Sequence, residues 1–197
     1  MTALKKEITR DDIMPVEDYA RIRKEHKTQL VALKKPRRVS VGPFATFYFE
    51  NYATMWAQIH EMLYIEGGGE EQITDELTAY NPLIPNGSEL VATLMLEIDD
   101  PVRRDYTLRQ LGHIEEAVYL QINDEKIYAT AEQEVERTTP DGKTSSIHFL
   151  HFPLSEAQKR DFKISSSPII LGIEHANYGH MAMLGAATRE ALAEDFD

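Results

Sequence analysis

"ELVATLMLEI", residues 89–98, decides the fold. It is apolar on both faces of an extended chain, as a strand is when it lies inside a sheet covered on both sides. The sequence on either side of it differs in texture. Upstream, apolar residues recur at helical spacing. Pro15 suits a first helical position, and Val16, Tyr19, Ile22, His26, Leu30 and Leu33 continue one stripe as far as Lys34, where Pro36 stops it. "RRVSVGP" (37–43) reads as a short extended piece. A second helix is expected to open at Gly42–Pro43 and to end at the "GGG" of 67–69, with Phe44, Phe47, Tyr48, Tyr52, Met55, Ile59, Met62 and Leu63 on its apolar side. Asn51 and Gln58 fall on that same side. Each needs a partner, since a buried polar group left unsatisfied costs about 1–3 kcal/mol. A short third helix covers 70–80, before "NPLIPNGS" (81–88) breaks the chain.

Downstream of residue 98 strands dominate. Pro101 starts a capped helix. "AVYLQI" (117–122) and "KIYATAEQEVE" (126–136) read as strands around an Asn123–Asp124 turn, and Pro140–Asp141–Gly142 marks a loop. "SSIHFLHFPL" (145–154) is a strand and Ser155 caps a helix. "SPIILGIEH" (167–175) and "HMAML" (180–184) form a strand pair across the turn "ANYG", and a last helix spans 186–195. The expected class is α+β, with N-terminal helices packed on a mostly antiparallel sheet and further helices interspersed. The expected organisation is one domain over 1–197, divisible into a helical part, 1–88, and a sheet-rich part, 89–197.

Composition narrows the function. The 197 residues hold 42% hydrophobic and 27% charged side chains, ordinary for a globular protein. No run approaches the roughly 20 apolar residues of a membrane span, and the N-terminus lacks an apolar signal core. With no cysteine there is no thiol nucleophile, disulfide or thiolate ligand. These features point to the cytoplasm. Net charge is −12 and unevenly spread: residues 1–43 carry eleven Lys/Arg against six Asp/Glu, so the rest is strongly acidic. An acidic body disfavours nucleic acid and anionic lipid as partners. A basic arm lying on an acidic body, its own or a neighbour's, favours a homodimer.

The motifs that carry chemistry are mostly missing. None of the seven histidines has Glu three residues before it, so the di-iron bundle pattern is absent. "HEMLY" (60–64) has Tyr64 where a zincin helix needs its second histidine, and His60 falls toward the solvent side of its helix. His148 and His151 point to opposite faces of a strand. His26 lies mid-stripe, as a core histidine would. His175 and His180 flank a turn holding Asn177 and Tyr178, and form the best histidine cluster. "KKPRR" (34–38) runs toward the expected helix start at Gly42–Pro43, where Arg37 and Arg38 could hold an anion, unless they pair with the chain's own carboxylates. "EGGGEE" (66–71) is a hinge, since no Gly-Lys-Ser/Thr follows it. Serine-hydrolase elbows and dinucleotide fingerprints are absent. Neither a metal nor a cofactor is expected.

Several phrases, "KKPRRVSVGP", "FENYATMWAQIHEM", "DELTAYNPLIP", "ELVATLMLEI", "HFLHFPL" and "IEHANYG", together resemble a bacterial family of about this length known as a domain of unknown function. Its genes often stand beside those for rubrerythrin-like proteins and iron–sulfur oxidoreductase subunits. The resemblance therefore implies a role in a redox or oxidative-stress system, and assigns no residue a role. Without cysteine or a Glu-x-x-His pattern, the chain reads as a binding or accessory protein, serving a redox-protein partner or a small ligand. The alternative is a small enzyme or metal-binding protein with a site near Asn51, Gln58 and His175. The candidate ligand-binding residues are Arg37, Arg38, Asn51, Gln58, Glu66, His175, Tyr178 and His180.

Overall fold

In the computed structural model, which describes residues 5–132 and 136–196, helix α1 (Val16–Lys34) leads to strands β1 (Arg38–Val41) and β2 (Ala45–Phe49) and helices α2 (Tyr52–Glu66) and α3 (Gly69–Tyr80). Strand β3 (Glu89–Leu96) and helix α4 (Pro101–Arg109) follow, then β4 (Val118–Ile122), β5 (Glu125–Tyr128) and β6 (Thr130–Ala131). The last elements are β7 (Ile147–Pro153), α5 (Glu156–Ile164), β8 (Ile169–His175), β9 (Tyr178–Met183) and α6 (Ala186–Ala193). The class is α+β, with two antiparallel sheets in place of the one expected. The first has the order β1-β2-β3-β7-β6 and the second β5-β4-β8-β9. Residues 133–135, inside the expected strand 126–136, lie outside the described residues.

β3 is the central strand of the first sheet, and its two faces meet two different cores. Leu90, Ala92, Leu94 and Leu96 join Phe47, Phe49, Leu150 and Phe152 on the inner side, against Leu120, Ile122, Leu171 and Ile173 of the second sheet. Phe162 and Leu192 of the C-terminal helices, with Phe196 beyond the end of α6, complete this core. Val91 and Phe149, on the outer face, pack beneath Met55, Ile59, Leu63, Ile73 and Leu83 of the helical layer. Each such side chain fully buried is worth roughly 1.5–3 kcal/mol.

The expected start of the second helix is corrected. Residues 45–49 form a strand, paired Phe47↔Leu94 and Phe49↔Ala92. "ATFYF" alternates with period two: Ala45, Phe47 and Phe49 turn inward while Thr46 and Tyr48 turn outward. The apparent helical stripe there merged a strand with the true helix, which begins only after Asn51. β1 and β2 precede residue 88, so the first sheet draws strands from both sides of that point. The Asn123 turn is present, with Asn123 left-handed (φ 54°) between β4 and β5.

The N-terminal segment straps the helical layer. Asn81 accepts from the Ile8 amide (2.8 Å) and donates to the Ile8 carbonyl (2.9 Å), mimicking a strand partner. Trp56 Nε1 donates to the Asp12 carbonyl (2.9 Å). The Met14 amide donates to His60 Nε2 (3.2 Å), while His60 Nδ1 donates to the Trp56 carbonyl (2.7 Å). His60 is thus 2% exposed, stacked 3.8 Å from Trp56, and does not face solvent as the sequence suggested. The strap, invisible to helical periodicity, is what covers it. His26 stands edge-on to Trp56 at 5.0 Å. Glu61 accepts from Arg23 at 2.8 Å through both oxygens, which holds its carboxyl down to about 2.

Two polar ties join distant parts of the chain. Arg37 donates to both oxygens of Asp195 (2.5 and 2.9 Å) and to the Ala191 carbonyl (2.9 Å), so one guanidinium binds the sheet edge to the C-terminus of α6. Both partners are buried, at 4% and 5% exposure. The Tyr178 hydroxyl donates to the Val41 carbonyl (2.7 Å) and accepts from the Ala45 amide (3.1 Å), tying the β1–β2 turn to β9. Gly42 sits in that turn at φ 73°, and a Cβ there would lie 2.6 Å from the rings of His180 and the hydroxyl of Tyr178.

His148 faces the inner core and His151 the opposite side, where its Nδ1 meets Glu89 at 3.0 Å. His148 is fully buried, its Nε2 3.0 Å from the Ser145 carbonyl. Burial pushes the pKa of both His60 and His148 below the ordinary histidine value.

Arg37→Met should lower the unfolding free energy by about 3–5 kcal/mol in urea titration, because it strands a buried carboxylate. The exposed neighbour change Arg38→Met should stay within about 0.5 kcal/mol; equal effects from the two would refute the assignment. The buried histidines set a pH dependence. Below about pH 6.5 the unfolded chain takes up protons that folded His60 and His148 refuse, so stability should be full above that pH and decline below it. Urea midpoints between about pH 5 and pH 8 should show this decline, by up to about 1.4 kcal/mol per pH unit for each histidine, and His60→Gln should flatten it.

Candidate functional site

A cavity of about 440 Å³ separates the helical layer from the outer face of the first sheet. The sheet supplies Tyr48, Thr93, Met95, Ile147 and Phe149, the outward members of β2, β3 and β7. α2 supplies Met55 and Gln58, which face the cavity together because three residues make nearly one helical turn. Tyr80 at the end of α3, Leu83 just beyond it and Lys34 at the end of α1 complete the lining with Glu50.

Glu50 is the unusual member. Its amide donates to the Val91 carbonyl (2.8 Å), so the sheet ladder reaches one residue past β2 and the alternation turns its side chain outward, as for Thr46 and Tyr48. It is only 6% exposed. The Thr93 hydroxyl donates to its Oε1 at 2.7 Å, while Oε2 is buried without a hydrogen-bond partner. Gln58 Nε2 donates to the Tyr80 hydroxyl across a long 3.4 Å and makes no bond to the carboxylate. The arrangement offers a desolvated acceptor, an amide, the hydroxyls of Tyr48, Tyr80 and Thr93, and a lysine among mostly apolar walls.

Of the eight residues singled out from the sequence, Gln58 alone lines this cavity. Asn51 is the N-cap of α2: its side chain accepts from the Thr54 amide (3.0 Å) and its own amide donates to the Thr54 hydroxyl (2.9 Å), a reciprocal cap. Glu66 is exposed and accepts from Gln72 at 2.9 Å. Arg37 is spent on Asp195, and Arg38 is exposed, reaching Glu97 at 3.3 Å. The anion pocket expected near Gly42–Pro43 lacks its helix, because that turn joins two strands. His175 and Tyr178 pair across the β8–β9 hairpin, but each turns to its own partners. His175 Nε2 donates to the Gly112 carbonyl (3.2 Å) and its Nδ1 accepts from the Asn177 amide (3.2 Å). His180 lies edge-on to Tyr178 at 4.5 Å, over Gly42.

Glu50, Thr93, Tyr80 and Lys34 escaped the sequence reading. The signal that could have found Glu50 is the alternation in "ATFYFE": once 45–49 is a strand, Glu50 follows Thr46 and Tyr48 on the face that the helices cover. Among the described residues no group of three His, Asp or Glu side chains could hold a metal ion, and no helix is long and apolar enough to cross a membrane.

The same architecture occurs in the crystal structure of a novel protein of unknown function from Burkholderia pseudomallei K96243. It is 39% identical, superimposes with a TM-score of 0.89, and the match covers 96% of this chain and 99% of that one. No curated protein matches the sequence. Residues 7–196 match the family described as protein of unknown function (DUF3501), and the chain belongs to that family.

Proposed function

We infer that this chain is a binding or accessory protein for a small molecule, and that its ligand seats in the cavity between the helices and the first sheet. One observation supports the reading above others: Glu50, 6% exposed, keeps a carboxylate oxygen without a partner. Burying a charge without its full complement of bonds costs stability, and well-packed apolar residues in its place are often neutral or stabilising. Proteins retain such costs where function needs them. The cavity, near 440 Å³, falls in the range of small-ligand sites, which combine apolar walls with a few placed polar groups. The redox setting implied by the sequence resemblance names the cellular processes in which the ligand should be sought.

The double variant Glu50→Met/Thr93→Val tests this directly, since it removes the acceptor and its one donor together and orphans neither. If Glu50 serves a ligand, the unfolding free energy should hold, or rise by about 1–3 kcal/mol. A fall of similar size would make Glu50 and Thr93 a structural pair and refute the reading.

A further inference from the structure

We propose that the cavity takes an amphipathic amine: a primary ammonium seated on Glu50, an apolar body, and an acid group at the far end facing Lys34. This rests on the cavity being a ligand site and adds the class of ligand. Thr93 occupies Oε1, so Oε2, buried without a partner, calls for a donor from outside the chain. In a desolvated setting, an ammonium is the donor that a carboxylate holds most strongly. The chain has its own ammonium at the same cavity, on Lys34, and does not use it there: Lys34 forms no ion pair with Glu50 or any other described residue. Glu50 and Lys34 thus line one cavity without pairing. The complement of that arrangement is a molecule that carries the reverse charges at its two ends. Met55, Leu83, Met95 and Phe149 provide the apolar wall for its body. Two of the four are methionines, whose flexible thioethers accommodate ligands of somewhat different length.

Calorimetric titration of the full chain with four matched probes decides the matter: ε-aminocaproate, n-hexylamine, n-hexanoate and n-hexanol. The zwitterion should bind tightest, the amine next, and the acid and alcohol weakest. Glu50→Gln should weaken both amines by about tenfold or more and leave the alcohol unchanged. Lys34→Met should bring ε-aminocaproate down to the level of n-hexylamine. The rank order on the unaltered chain is decisive by itself, whatever the fate of the Glu50 variant. If n-hexanoate or n-hexanol binds as tightly as the amines, and competes with them, the amine class is wrong and the cavity remains a ligand site. If none of the four binds, the class and the site both fall.

Discussion

A strand has a period of two, and β3 is buried on both sides, so its residues alternate between two separate interiors. This constraint governs the rest of the structure. The inner face can be filled largely with leucine and phenylalanine because it meets the second sheet, the C-terminal helices and the apolar residues Leu108, Leu111 and Ile114. The outer face meets helices whose side chains come in periods near 3.6, and the two periodicities do not mesh everywhere. Where they fail to mesh, beside Glu50 and Gln58, a cavity remains. Polar residues of the outer face lie beside it, where Thr46 and Tyr48 both donate to Glu97, and at the other end of β3, where His151 meets Glu89.

The helical layer is held by directional contacts as much as by apolar area. The N-terminal strap lends its backbone to Asn81, Trp56 and His60, and His60 can accept from Met14 only while Nε2 carries no proton. On the other side of the sheet, Arg37 reaches across 158 residues of sequence to the last helix. Buried ion pairs of this kind add little net stability but are costly to break. They act here as fasteners that select one packing of helix on sheet.

Much of this was legible in the residues. The two-faced apolar run at 89–98, the capped helix after Ser155 and the β8–β9 hairpin all follow local rules of period and capping, and all appear. The misread stretch, 44–49, is instructive because aromatic residues at positions 44, 47 and 48 satisfy a helical spacing by coincidence, whereas the alternation of 45, 47 and 49 is the pattern that burial enforces. Asn51 carried a recognisable cap signature with Thr54. The partners Asp195 of Arg37, Val41 of Tyr178 and Met14 of His60 were beyond reach, because each lies more than forty residues away in sequence. Glu50 was missed for a related reason: a helix opened at Gly42–Pro43 places it in mid-helix, until the strand before it shows that it points beneath the helices.

The central claim is that Glu50 keeps one carboxylate oxygen for a donor that the chain does not supply. Its side-chain carboxyl ¹³C resonance, assigned through Glu50→Gln, can be followed while a filtered small-molecule extract of the native cells is added. Glu61 and Glu97, already bonded by Arg23 and by Tyr48, serve as internal references. The account predicts that the Glu50 resonance moves while those two stay in place. A Glu50 signal that remains fixed, or that moves no more than the references, would contradict it.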